Sequence, residues 1–239
     1  MGAIKPPFIA LFLYGSHARG DAQETSDVDI LQVAPTHTAP YSVGRVNVTC
    51  YTLEQLLRLA RQGGLFARHL IEEALPLADA HDVLGVLKSA YVRPLDYDAV
   101  KKEVCGCAPL LDVADSQFNE NADGLSSLVS YLIRTYLYAT AFDRQAKSFS
   151  MGHVLDLLGQ QGAGSILSNV RSQRSISAFA AARAFFEELT GGICQRSEGS
   201  LEAFIVNAGP HNELAVVLGL RLLARGRPFT YDALLDVEL

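Results

Sequence analysis

Short apolar runs closed by glycine, proline or aspartate recur through the first part of the chain, at residues 9–14 (IALFLY), 28–33 (VDILQV) and 45–51 (RVNVTCY). Runs of this length with turn-forming flanks are the pattern of β-strands. Each is predicted to be a strand, and residues 75–77 are a fourth candidate. Between them the period changes from two to about three and a half. Residues 52–62 read as an amphipathic helix whose opening, Thr52-Leu53-Glu54-Gln55, is a capping box: the Thr52 hydroxyl covers the Gln55 amide and the Gln55 side chain returns to Thr52. Residues 66–73 are predicted to form a further helix, whereas 16–22 is too short for more than a helical start. A small mixed sheet flanked by helices follows.

From about Asp96 the pattern is helical throughout. Leu125, Leu128, Val129, Leu132, Ile133, Tyr136 and Leu137 recur at three- and four-residue intervals, which places one apolar stripe along a helix of about five turns. Partner helices are predicted at 96–105, 179–189, 200–206 and 213–224. The expected organisation is thus an α/β domain over residues 1–95 followed by an all-α bundle over 96–239. Two helix starts echo one another, KSFSMGHVLD from Lys147 and RPFTYDALLD from Arg227. In each, Ser or Thr caps the helix and the preceding Phe staples onto the residue four after the cap.

The 239 residues, 49% of them apolar and 19% charged, suffice for a buried core and exclude disordered, collagen-like and coiled-coil classes. A net charge of −6 argues against a surface built to hold a long polyanion. The four cysteines, Cys50, Cys105, Cys107 and Cys194, have neither the density of a disulfide framework nor a second ligand pair for zinc, so they read as reduced thiols of a cytoplasmic protein. The apolar run at residues 8–14 imitates a signal peptide, but Pro6, Pro7 and the Gly-Ser turn after it favour a buried strand. No run approaches a membrane span.

The chemistry is concentrated in residues 11–33, LFLYGSHARGDAQETSDVDILQV. A strand runs into Gly15-Ser16 and a helical start, then a loop leads to a strand opened by Ser26-Asp27-Val28-Asp29. Gly15 permits a tight turn and close approach of a ligand, and free amides beyond it suit phosphate oxygens. Asp27 and Asp29, two apart on a strand, leave the same face with Val28 turned to the core. Two carboxylates on one face suit a hard cation such as Mg²⁺ that shares its coordination with phosphates. Arg19 is a candidate to add charge near a triphosphate or to lock Asp29 in place.

The order strand, Gly15-Ser16, Arg19-Gly20, Ser26-Asp27-x-Asp29, strand resembles the signature of the DNA polymerase β-like nucleotidyltransferase superfamily, especially its minimal bacterial and aminoglycoside-type members. The resemblance covers about a tenth of the chain directly. It implies that Gly15 and Ser16, with Arg19 and Ser26, hold the phosphates of a nucleoside triphosphate, that Asp27 and Asp29 are the catalytic, metal-binding pair, and that the ion is Mg²⁺ or Mn²⁺. An acceptor hydroxyl would attack the α-phosphorus of ATP or another nucleotide and release pyrophosphate, a transferase reaction of the EC 2.7.7 kind. The family usually adds a third carboxylate from a later strand. Here the slots between Val46, Val48 and Cys50 hold Asn47 and Thr49. Asn47 is a weak metal ligand that cannot serve as a base. Another acid, such as Glu54, could replace it; one ion could suffice; or the domain could bind nucleotide without turnover.

By the same resemblance the helical half faces the acceptor, and Lys147 is a candidate phosphate contact, with Arg134 and Tyr138 alternatives that could equally pair on their own helix face. Helical nuclease-like domains carry Arg-x4-His, but Ala139 stands where the histidine would follow Arg134. His17 lies within the turn, and His69 and His153 read as helix-face or cap residues without a second ligand at helical spacing. The acidic balance favours a small cationic acceptor or a protein over tRNA, no membrane is involved, and a homodimer is compatible with the reading.

Overall fold

The computed structural model describes residues 8–24, 26–197 and 199–224 of the chain. These fall into two compact units. The first runs through Leu95 and takes in Ser148–Ser150, and the second begins at Asp96 and resumes at Met151.

In the first unit β1 (Ala10–Tyr14), β2 (Val28–Ala34), β3 (Tyr41–Val43), β4 (Val46–Thr52) and β5 (Leu75–Ala78) form one sheet in the order β3-β4-β2-β1-β5. β2 and β4 are parallel and the other pairs antiparallel, so the sheet is mixed as predicted. The strand at Tyr41–Val43 was not foreseen: all three residues are exposed, so no buried face imposes an alternating pattern on its sequence.

Along β1, Ala10, Phe12 and Tyr14 are buried while Leu11 and Leu13 are half-covered. The paired row on β2 is Val33, Leu31 and Asp29. This face receives helix α3 (Leu65–Glu73), whose Phe66 stacks on Tyr51 at 5.3 Å and meets Tyr14 edge-on at 5.7 Å. Such aromatic pairs add about 0.5–1.5 kcal/mol each beyond the area they bury. Before it, α2 (Leu53–Arg61) starts with the predicted box, the Gln55 amide donating to Thr52 Oγ1 at 3.2 Å and the Thr52 amide to Gln55 Oε1 at 2.8 Å. The short α1 (Ser16–Arg19) follows β1, and α4 (Val83–Ala90) follows β5.

The second unit is helical. After α5 (Asp98–Gly106), a 3₁₀ turn and α6 (Asp115–Glu120), the 22-residue α7 (Ala122–Asp143) forms its centre. Most of α7 is buried, including the predicted stripe positions Leu125, Leu128, Val129, Leu132, Ile133 and Leu137. Burial on more than one side fits a helix that has neighbours nearly all round. α8 (Met151–Leu158), α9 (Gly162–Gln173), α10 (Ile176–Thr190), α11 (Leu201–Ala208) and α12 (Glu213–Leu223) complete the unit. Lys101 of α5 holds the end of α7 through Asp143 Oδ2 at 2.6 Å. Of the two echoed helix starts, the first opens α8, with Phe149 and Val154 each buried; the second, from Arg227, lies outside the described residues. Among the described residues no helix is long and apolar enough to cross a membrane.

Candidate active site

β1 delivers the chain into a turn that only glycine fits. Gly15 has φ 75° and ψ −154°, and a Cβ built on it would lie 2.7 Å from Asp29 Oδ2. The first condition is a backbone region essentially closed to other residues, and the second is a steric overlap. Arg19 then donates its amide to the Gly15 carbonyl at 3.1 Å, and Gly20, at φ 78°, ends the helical turn. The early amides of α1 have no acceptor within the helix. Ser16 and His17 stand in this first turn, and the His17 ring lies 3.4 Å from the Ser26 carbonyl.

Asp29 sits in a row that crosses four strands: Ser42 on β3, Asn47 on β4, Asp29 on β2 and Tyr14 on β1 are successive register partners. Paired residues share a face, so Asp29 occupies the end of the buried face that carries Leu31 and Val33. This corrects one expectation. Val28 is not the core-facing partner of the acids; it is half-buried on the opposite face, because α3 packs on the row of Asp29 rather than on that of Val28. Asp27 stands one residue ahead of β2 and is exposed. Deeper on the same face the Tyr14 hydroxyl meets Thr49 Oγ1 at 2.9 Å, which gives a polar pair inside the core its partner.

Asn47 is Asp29's register neighbour, and its Oδ1 accepts a hydrogen bond from the Ser42 hydroxyl at 2.9 Å. Glu54 stands elsewhere. It follows Thr52, which pairs with Ala34 at the far end of β2 from Asp29, and five residues of strand span about 17 Å. One ion cannot bridge that distance. Among the described residues no three His, Cys, Asp or Glu side chains are grouped to hold a metal. The oxygen donors that the fold brings together here are therefore the Asp29 carboxylate and the Asn47 amide, with Asp27 on the exposed residue just ahead of β2. That chemistry fits a Mg²⁺ ion that keeps several waters and takes further oxygens from a substrate phosphate, and it does not fit an all-protein cage.

The other candidates have structural partners. Ser26 uses its hydroxyl to accept the Gln23 amide at 2.9 Å and its carbonyl to accept Arg45 Nη2 at 2.6 Å, bracing the loop before Asp27. Arg19 pairs with Glu73 Oε2 at 2.8 Å and Asp21 Oδ1 at 3.2 Å. Its guanidinium thus meets these two acids rather than supplying the lock on Asp29. Burial alone would weaken its charge, but the hydrogen bonds it donates to Glu73 and Asp21, with their negative charges, reverse this and raise its pKa. In the second unit Lys147 is exposed, and Arg134 lies 5.9 Å from the Tyr138 ring centre, a cation–π pair along α7. His153 is an exposed residue of α8.

Sequence reasoning missed Glu73. It stands four residues after His69, and Glu73 Oε2 lies 3.1 Å from His69 Nε2. The i, i+4 spacing in HLIEE was the available signal. Burial opposes charge on Glu73, yet hydrogen bonds from His69, Arg19 and the Phe149 amide overcome it and bring its pKa from the usual 4.5 to about 2. An open cavity of about 430 Å³ borders this carboxylate, lined by Arg19, Asp21, Glu72, Ser148 and Ser150 among others.

No curated protein is similar enough to the chain to serve as a relative. Residues 5–70 match the nucleotidyltransferase domain family, a span that holds β1 to β4, the Gly15 turn, Asp27, Asp29 and Asn47. The chain therefore carries, at residues 5–70, a nucleotidyltransferase domain of the DNA polymerase β-like kind.

Proposed function

We propose that the protein transfers a nucleoside monophosphate from a nucleoside triphosphate, ATP in the first instance, to a hydroxyl of a small molecule or protein, with release of pyrophosphate. The observation that carries this reading is the close approach of Gly15 to Asp29, which leaves no room for a side chain between the turn and the carboxylate. In this reading Gly15 and Ser16 receive the phosphates, and Asp29 with Asp27 would hold Mg²⁺, the ion supplying charge neutralisation at the phosphates when bound. Asn47 adds a neutral oxygen. Lys147 remains a proposed phosphate contact from the helical domain, residues 96–239, which would face the acceptor. The acidic balance of the chain favours a cationic small molecule or a protein over tRNA.

A specific observation supports a second reading. Asn47 stands where the resemblance places a third carboxylate, and its oxygen is already engaged by Ser42. A domain with this donor set could bind nucleotide and serve as an interaction module without turnover. Purified protein with Mg²⁺, α-labelled ATP and a panel of acceptors separates the two. Transfer requires labelled product and pyrophosphate, both abolished by Asp27→Asn with Asp29→Asn. Saturable ATP binding with no product from any acceptor, cell lysate included, selects the module.

A further inference from the structure

Glu73 ends α3 with its side chain only 8% exposed, and its two oxygens serve different parts of the first unit. Oε2 accepts from Arg19 Nη1 at 2.8 Å and lies 3.1 Å from His69 Nε2. Oε1 accepts the Phe149 amide at 2.7 Å and the Ser148 hydroxyl at 3.1 Å. Arg19 belongs to the Gly15 turn. Ser148–Ser150 is a strap that joins this unit from a chain position 75 residues beyond Glu73. The Phe149 ring also stacks on His69, with centres 4.4 Å apart and planes at 23°. One buried carboxylate therefore ties the turn, helix α3 and the strap together.

The contacts of Arg19 bear on its role. Its Nε faces Asp21 and its Nη1 faces Glu73, so a guanidinium with one positive charge already serves two carboxylates. A triphosphate brought to it would meet those same negative charges. The Arg19 backbone, by contrast, bears directly on the turn, since its amide donates to the Gly15 carbonyl and Gly15 packs against Asp29. Fixing the Arg19 side chain fixes that amide, and the amide fixes the glycine.

We propose that Glu73 is a positioning residue for the nucleotide site: by clamping Arg19 and anchoring the Ser148–Ser150 strap, it holds the Gly15–Arg19 turn in its binding conformation, with Arg19 acting as a brace and not as a phosphate ligand. This rests on the nucleotide-binding reading above.

The test is a double-mutant cycle of Arg19→Met and Glu73→Gln, with Arg19→Lys as a milder variant that keeps the ion pair. Two readouts are taken on the full chain: the KM for MgATP against kcat, and amide hydrogen exchange of residues 15–19 and Phe149 without nucleotide. The clamp requires each single substitution to raise KM about tenfold with a smaller change in kcat, and the double to be no worse than either single, because both remove one shared interaction. Arg19→Lys recovers part of the loss. Glu73→Gln and Arg19→Met both speed exchange in the turn, and Glu73→Gln also exposes the Phe149 amide. A raised KM in Arg19→Met with none in Glu73→Gln, or effects that add, would assign Arg19 to the phosphates and overturn the clamp. A fall in melting temperature with KM unchanged overturns it as well. Unchanged exchange in the turn does so whatever the nucleotide assays give. A wild-type protein that neither binds nor turns over nucleotide overturns the underlying reading, and with it the positioning role, even where the exchange arm responds.

Discussion

Replacing Gly15 with alanine tests the turn where its geometry is tightest. At φ 75° and ψ −154° a non-glycine residue carries about 1–3 kcal/mol of backbone strain. The added methyl would also sit 2.7 Å from Asp29 Oδ2, below any ordinary carbon–oxygen contact, so the carboxylate must leave its position. Pushing that side chain off its preferred rotamer costs about 0.5–1.5 kcal/mol more. The two together give a loss of about 2–4 kcal/mol, a large part of a domain's stability. Urea unfolding at pH 7 measures this, with MgATP titration of the same variant alongside, and both stability and nucleotide affinity fall. In the Gly15→Ala/Asp29→Ala double variant the overlap is relieved while the strained φ remains, so the cycle returns a coupling of about 0.5–1.5 kcal/mol, the steric share alone. A Gly15→Ala protein within 0.5 kcal/mol of wild type, with unaltered MgATP affinity, would refute the reasoning, since neither the conformation nor the contact could then be as described.

Glu73 makes the stability depend on acid. Its pKa in the folded protein is about 2 against an ordinary 4.5, so its contribution is fully present above pH 4.5 and is lost as pH falls towards 2. The gap between those two values corresponds to roughly 3 kcal/mol at most. Unfolding at pH 7, 4.5 and 3 shows the decline in wild type and a shallower one in Glu73→Gln; equal slopes would contradict it. Asn47→Asp places a carboxylate next to Asp29 while keeping the acceptor for Ser42, so Mg²⁺ affinity rises about tenfold or more, measured by calorimetry with and without nucleotide; no change would place Asn47 outside the metal's reach. Tyr14→Phe removes the hydroxyl pair with Thr49 and costs about 1 kcal/mol in denaturant unfolding; a neutral result would mean the pair contributes nothing net.

The sheet and the helical region were legible because their apolar positions repeat with the period of the element they form, and the capping box at Thr52 was legible because it is purely local. The Gly15 turn and the acidic pair were legible as a motif, yet the side of the sheet they occupy was not. Alternation along residues 27–33 gives two rows but does not say which of them a helix covers, and the deciding contact, Phe66 on Tyr14 and Tyr51, joins residues far apart in sequence. The three-residue β3 left no trace because it buries nothing. Glu73 was hidden for a related reason. Its partner His69 lies at helical spacing and could have been read, whereas Arg19 and Phe149 reach it from 54 residues before and 76 after, and only the fold brings them there.

Isothermal titration of the wild-type protein and of Asp29→Asn with MgATP bears most directly on the claim that the turn and this acid together seat a metal-bound triphosphate. The account requires saturable, Mg²⁺-dependent binding by the wild type, weakened at least tenfold by the loss of one negative charge from the seat. Equal affinity in the two proteins, or no binding by the wild type, would contradict it.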